Sequence, residues 1–198
     1  EHQAEVEALR EAADVLAPDA YRKHGEILDL VAATLPGVVV AGDSTQPVYG
    51  ANLFYEADQP RRYFNSSTGY GTLGYGLPAA LGAKLGLPDT PVVSLIGDGG
   101  LQFTIAELAT AVELELSVPV LVWNNRGYGE IKRYMLERDI PTIGVDIYTP
   151  DFITIAKGFG CAAETVSTRD EFVDALRRAD KAGKPTLIDI PEHLALNW

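Results

Sequence analysis

Val92-Val93-Ser94-Leu95-Ile96-Gly97-Asp98-Gly99-Gly100 and Val118-Pro119-Val120-Leu121-Val122-Trp123-Asn124-Asn125-Arg126-Gly127 decide the fold of this chain. Each is an apolar run closed by a turn-forming motif, and Thr104 to Leu116 between them reads as a helix. Two parallel strands joined by a crossover helix bring their C-terminal ends side by side, where open α/β sheets place their ligands. Asp98 and Asn125, 27 positions apart, would meet there. A carboxylate and an amide oxygen are hard ligands suited to Mg²⁺, which completes its shell from phosphates and water. Gly99 and Gly100 let backbone amides approach an anion closely.

Working outward, strands alternate with helices along the chain. Helices are expected over Tyr21 to Leu35, Leu73 to Leu85, Tyr128 to Arg138, Asp151 to Phe159 and Arg169 to Ala182. Further strands are expected at Val38 to Ala41, Ala162 to Val166 and Thr186 to Ile190. Continuous Val, Ile and Leu runs mean strands covered on both faces, hence a three-layer α/β/α sandwich with a mostly parallel sheet. Residues 48 to 68 read as a long aromatic and polar loop, and Asp139 to Pro150 as an irregular connection. Residues 1 to 20 read as a connector or surface helix interrupted at Ala17-Pro18-Asp19, and residues 21 to 198 as one domain.

The 198 residues are 46% hydrophobic, enough for one compact core. A net charge of −12 argues against a nucleic-acid partner, while a divalent cation and backbone amides can still hold a phosphate within an acidic protein. No apolar run approaches the ~18 to 20 residues of a membrane helix, and Glu1 opens no signal peptide. Cys161 is the single cysteine, so no disulfide forms within the chain, and a reducing, cytoplasmic setting follows. It reads as a small buried residue. With Met135 as the single Met, a fragment or processed product is the expectation. His2, His24 and His193 have no ligand spacing, and no Gly-x-Ser-x-Gly elbow is present.

Gly69-Tyr70-Gly71-Thr72-Leu73-Gly74 matches the dinucleotide fingerprint. The preceding Arg61 to Thr68 reads as polar loop rather than buried strand, and a dinucleotide site leaves Asn124-Asn125 unexplained. Gly-Asp-Gly-Gly followed by Asn-Asn at this distance resembles instead the cofactor motif of thiamine diphosphate enzymes, the group of benzoylformate decarboxylase, pyruvate decarboxylase and acetolactate synthase. Asn65 to Ala80 is similar to the Gly-rich segment those enzymes place under the aminopyrimidine ring. The likeness spans roughly residues 21 to 192 and corresponds to the C-terminal, diphosphate-binding domain of a longer subunit.

The resemblance implies thiamine diphosphate and Mg²⁺ as cofactors, with Asp98, Asn125 and the Gly127 carbonyl as metal ligands. It implies that Thr45, Gln46, Gly97, Gly99, Gly100, Tyr128 and Gly129 contact the cofactor, that the Gly71 carbonyl meets its amino group, and that Leu73 wedges between its rings. Gln46 departs from the usual short hydroxyl residue. No catalytic residue is assigned within the chain: in the family a Glu on a separate N-terminal pyrimidine-binding domain, from the neighbouring subunit, starts the chemistry, so a homodimer or homotetramer is implied. The implied activity is decarboxylation of a small-molecule 2-oxo acid. An acetolactate synthase-type carboligase shares every motif, although such synthases typically carry Gly-Gln-His-Gln where this chain has Asp43-Ser44-Thr45-Gln46. A non-catalytic cofactor-binding module is the alternative from another class. The whole stretch from Gly42-Asp43-Ser44-Thr45-Gln46-Pro47 to Trp123-Asn124-Asn125-Arg126-Gly127-Tyr128-Gly129-Glu130-Ile131 looks most like guanidino-oxopentanoate decarboxylases. Glu130 and Ile131 then face the substrate, with Glu130 suited to a cationic tail; the plain alternative is a dipole-favoured Glu paired with Arg133.

Overall fold

The computed structural model of the chain describes residues 2–16 and 19–198, and side chains from residues 3–12 and 21–198. Glu1, Ala17, Pro18 and the side chain of His2 lie outside the described residues. The N-terminal helices are α1 (His2–Leu16) and α2 (Asp19–Thr34), followed by β1 (Val39–Gly42), α3 (Gln46–Phe54) and β2 (Tyr63–Asn65). A 3-10 turn over Ser66–Thr68 leads to α4 (Gly76–Gly86), β3 (Val92–Gly97), α5 (Asp98–Thr104), α6 (Glu107–Glu113) and β4 (Pro119–Asn124). The chain ends with α7 (Gly129–Glu137), α8 (Phe152–Gly158), β5 (Ala162–Thr165), α9 (Arg169–Ala179), β6 (Thr186–Pro191) and α10 (Glu192–Ala195).

The strands form one parallel sheet in the order β2-β1-β3-β4-β6-β5. Successive side chains on a strand face opposite sides, and here both sides are apolar. Val40, Val93, Leu95, Leu121 and Ile188 meet Leu28 and Val31 of α2, Val48 of α3 and Phe172 and Leu176 of α9. Val39, Ala41, Ile96, Val120 and Val122 meet Leu77 of α4, Leu101 of α5, Leu108 of α6 and Phe152 of α8. These two cores are the two interfaces of a three-layer sandwich, the architecture expected from the apolar runs. Cys161 is buried in the second core, and burial pushes its thiol up to about 11. Among the described residues no helix is long and apolar enough to cross a membrane.

Several local expectations are corrected. Residues 48–68 are not a loop: α3 and β2 lie there, and the helix opens with Pro47 in its first turn, where a missing N–H costs nothing. Gly50 at mid-helix hides it. The chain between β3 and β4 is two helices, α5 beginning at Asp98 itself, because the glycines that read as a turn are its first residues. The helix expected from Leu73 starts only at Gly76, since Gly74 adopts φ +85. A strand does precede the Gly-x-Gly-x-x-Gly segment, but it is three residues on the sheet edge, and residues 69–75 after it are turn rather than helix. The dinucleotide fingerprint therefore fails on its helix.

Candidate functional site

The connection leaves β1 for β2 on one side and β3 lies on the other, so the sheet has a switch point between β1 and β3, where open α/β sheets hold ligands. A cleft of about 220 Å³ opens there. Its walls are three segments that follow β1, β3 and β4, closed by residues 71 and 73 ahead of α4. All the site residues expected from sequence line it: Thr45 and Gln46; Gly71 and Leu73; Gly97, Asp98, Gly99 and Gly100; Asn125, Gly127, Tyr128 and Gly129; and Glu130 and Ile131.

Asp98 is 1% exposed at the first position of α5. Burial pushes its carboxyl up to about 6, against the Gly99 amide and the Thr149 hydroxyl that favour the anion; Thr149 Oγ1 donates to Oδ2 at 3.3 Å. Such a site penalises a lone negative charge and favours a cation beside it. Asn125 Nδ2 donates to Gln46 Oε1 at 2.9 Å, which turns the amide so that Oδ1 is left over. That oxygen is buried and has no hydrogen-bond partner in the protein, an arrangement whose cost a ligand would remove. Among the described residues no three His, Cys, Asp or Glu side chains gather for a metal. One carboxylate and one amide oxygen fit Mg²⁺, which takes few protein ligands, and not zinc, which prefers nitrogen and sulfur.

The glycines keep this corner open and tightly folded. A Cβ at Gly99 would stand 2.6 Å from Tyr128 Cε1, and one at Gly127 would stand 2.6 Å from the Val145 carbonyl oxygen. The Tyr128 amide donates to that same carbonyl at 2.9 Å, so the turn after β4 is pinned to the 139–150 connection. Arg126 accepts a left-handed φ of 62 to make the turn. Thr45 sits at the N-cap of α3 yet makes no side-chain cap bond, which leaves its hydroxyl available to the cleft. Leu73 is half-buried on the cleft wall and belongs to neither core cluster.

Glu130, also on the cleft wall, lies in the first turn of α7 with its side chain 17% exposed. Tyr21 Oη donates to its Oε1, and Arg133 donates to the same oxygen at 2.5 Å. The plain reading, an ion pair with Arg133, is thus present, and the carboxylate also lines the cleft.

Four supporting residues escaped sequence reasoning. Asp43, fully buried, accepts from the Ser44 and Gly76 amides at 2.8 Å each, tying the end of β1 to the start of α4; burial raises its carboxyl. A Cβ on Gly100 would stand 2.9 Å from Asp43 Oδ1. Its one sequence signal is a carboxylate directly after a buried strand. Thr149, Val145 and Tyr21 carry none, because they reach the site from 51, 17 and 109 residues away from their partners. His24 is buried and bonded to Glu192 at 3.0 Å, with its ring edge-on to Trp123, outside the cleft.

A parallel sheet with a glycine-walled cleft at its switch point places the chain in the class of α/β cofactor-binding domains. The family described as thiamine pyrophosphate enzyme, C-terminal TPP binding domain, matches residues 42–190. The chain belongs to that family, whose cofactor, TPP, is thiamine diphosphate. Over 169 residues it is 44% identical to a protein of Pseudomonas aeruginosa named "Probable 2-ketoarginine decarboxylase AruI", covering 84% of this chain and 30% of that one. It is 39% identical over 142 residues to the acetolactate synthase isozyme 3 large subunit of Escherichia coli, covering 71% and 25%. Among solved structures, the thiamine diphosphate-dependent 4-hydroxybenzoylformate decarboxylase of Rhodococcus jostii RHA1 superposes with a TM-score of 0.76 at 30% identity, covering 85% of this chain and 32% of that one. The chain spans about a third or less of the length of the relatives it matches.

Proposed function

We propose that the chain is the diphosphate- and metal-holding domain of a thiamine diphosphate-dependent 2-oxo acid decarboxylase acting on a guanidino 2-oxo acid in the cytoplasm. The observation that carries this reading is the buried, unpartnered Asn125 Oδ1 beside Asp98. Asp98, Asn125 and the Gly127 carbonyl would hold Mg²⁺, and the residues around Thr45, Gly99 and Gly129 would receive the diphosphate. When bound, the cofactor supplies the electron sink for breaking a carbon–carbon bond next to a carbonyl. The chain's own part is to orient Asn125 through Gln46, to set Leu73 and Gly71 against the cofactor rings, and to present Glu130 and Ile131 to the substrate.

The remainder of the site would come from an N-terminal pyrimidine-binding domain of a neighbouring subunit in a dimer or tetramer, with residues 1–20 as connector. Two features favour this. The cleft, about 220 Å³, is smaller than the ~300 to 1,000 Å³ typical of complete small-molecule pockets. Ile131 on its wall is exposed, as are Tyr70, next in sequence to Gly71 of the wall, and Tyr148, next to the Thr149 that bonds Asp98, as surfaces that await a partner are.

Substrate choice rests on Glu130, which can meet a guanidinium with charge-assisted bonds, and is supported by likeness to a protein named for 2-ketoarginine decarboxylation. The second reading, an acetolactate synthase-type carboligase, is favoured by the 39% identity to such a synthase. The deciding experiment measures CO₂ release by the full-length protein across 2-oxo acids, with pyruvate self-condensation in parallel. Preference for a guanidino acid that Glu130→Gln lowers about tenfold or more, relative to a neutral acid of equal length, bears out the proposal. Condensation of pyruvate without guanidino-acid turnover replaces it with the carboligase.

A further inference from the structure

Arg133 reaches Glu130 from outside the cleft, since Glu130 lines it and neither Arg133 nor Tyr21 does. Its Nη2 lies 2.5 Å from Glu130 Oε1, and its Nε is 3.4 Å from Oε2. Tyr21 Oη donates to Oε1 as well and accepts from Arg133 Nη2 at 2.9 Å. Oε1 is therefore doubly engaged, whereas Oε2 has a single long contact. Arg133 is itself held by Glu137, 2.5 Å from Nη1, and lies over the Tyr134 ring at 4.5 Å. A guanidinium on a carboxylate is the contact that a guanidino substrate would make, and here the protein makes it with its own side chain.

We infer that Arg133 is a specificity-determining residue: it partly neutralises Glu130 from behind and so sets how strongly the cleft prefers a cationic over a neutral substrate tail. The inference rests on the reading that Glu130 faces the substrate. Two cations on one carboxylate compete for its lone pairs and repel each other, so Arg133 weakens binding of a charged tail and leaves a neutral tail nearly untouched. Glu137 matters because it holds Arg133 Nη1, so that Arg133 reaches Oε2 only through Nε, at 3.4 Å. With Arg133 gone, Glu130 becomes an unscreened charge beside the cleft.

The test is the ratio of kcat/KM for a guanidino 2-oxo acid to that for an uncharged 2-oxo acid of equal length, measured on the full-length enzyme. Arg133→Met should raise the ratio roughly tenfold, the scale of one charge-assisted hydrogen bond, through KM rather than kcat. Arg133→Lys, which keeps a charge and loses the planar fork, should shift the ratio the same way by less, and serves if Arg133→Met does not fold. The double variant with Glu130→Gln should match Glu130→Gln alone. A ratio that stays level or falls in both Arg133 variants, while Glu130→Gln lowers it, overturns the role of Arg133 and leaves the proposed substrate standing. A ratio insensitive to Glu130→Gln overturns both.

Discussion

Asn125 is oriented as the proposed metal site requires. Its Nδ2 is spent on Gln46 at 2.9 Å, and Gly129 stands so close that a Cβ would strike that nitrogen. Only Oδ1 remains to be satisfied. Outer partners that fix a ligand's orientation are worth about 10- to 100-fold in metal affinity, so Gln46→Ala should weaken Mg²⁺-dependent cofactor binding by that factor. Asp98→Ala should abolish it. Neither change should unfold the protein: the one side-chain partner of Asp98 is Thr149, at a long 3.3 Å, and burial disfavours the charged form of its carboxyl. Calorimetric titration of the full-length protein checks both, and affinity unchanged in Asp98→Ala removes that residue from the metal site.

At the scale of elements, the crossing of α2 and α3 holds one wall of the cleft. A Cβ on Gly50 would stand 2.8 Å from the Gly25 amide nitrogen, and one on Gly25 would stand 3.1 Å from the Gly50 carbonyl carbon. Backbones in contact cannot yield as side chains do. Gly50→Ala should therefore cost about 1 to 3 kcal/mol, the range for overpacking, read as a lower denaturation midpoint. It should also displace Tyr21, which α2 carries to Glu130 and whose carbonyl oxygen a Cβ on Gly50 would strike. A midpoint equal to the parent's would show that the helices separate freely. This crossing explains why α3 was illegible in sequence. Gly50 lowers helix propensity, and the need for it lies in a partner 25 residues away. Pro47 was the available signal.

At the scale of the molecule, the proposed function gives the chain one side of a site. Purified alone it should show no 2-oxo acid turnover with thiamine diphosphate and Mg²⁺, and CO₂ release from the isolated chain would refute the two-domain account. The sandwich and the meeting of β3 with β4 were legible because buried parallel strands must be apolar on both faces, and because turn motifs mark their C-terminal ends. Gly97↔Trp123 pairing sets those ends together, bringing Asp98 and Asn125 to one cleft. Local composition thus determined the layers, the strand ends and the candidate ligands. Tertiary structure alone decided that Asp43 fastens β1 to α4, that Thr149 bonds Asp98, and that Tyr21 and Arg133 share one oxygen of Glu130. The physical reason is range: periodicity and turn chemistry act over a few neighbours, whereas a hydrogen bond across 51 or 109 residues depends on how the helices settle onto the sheet.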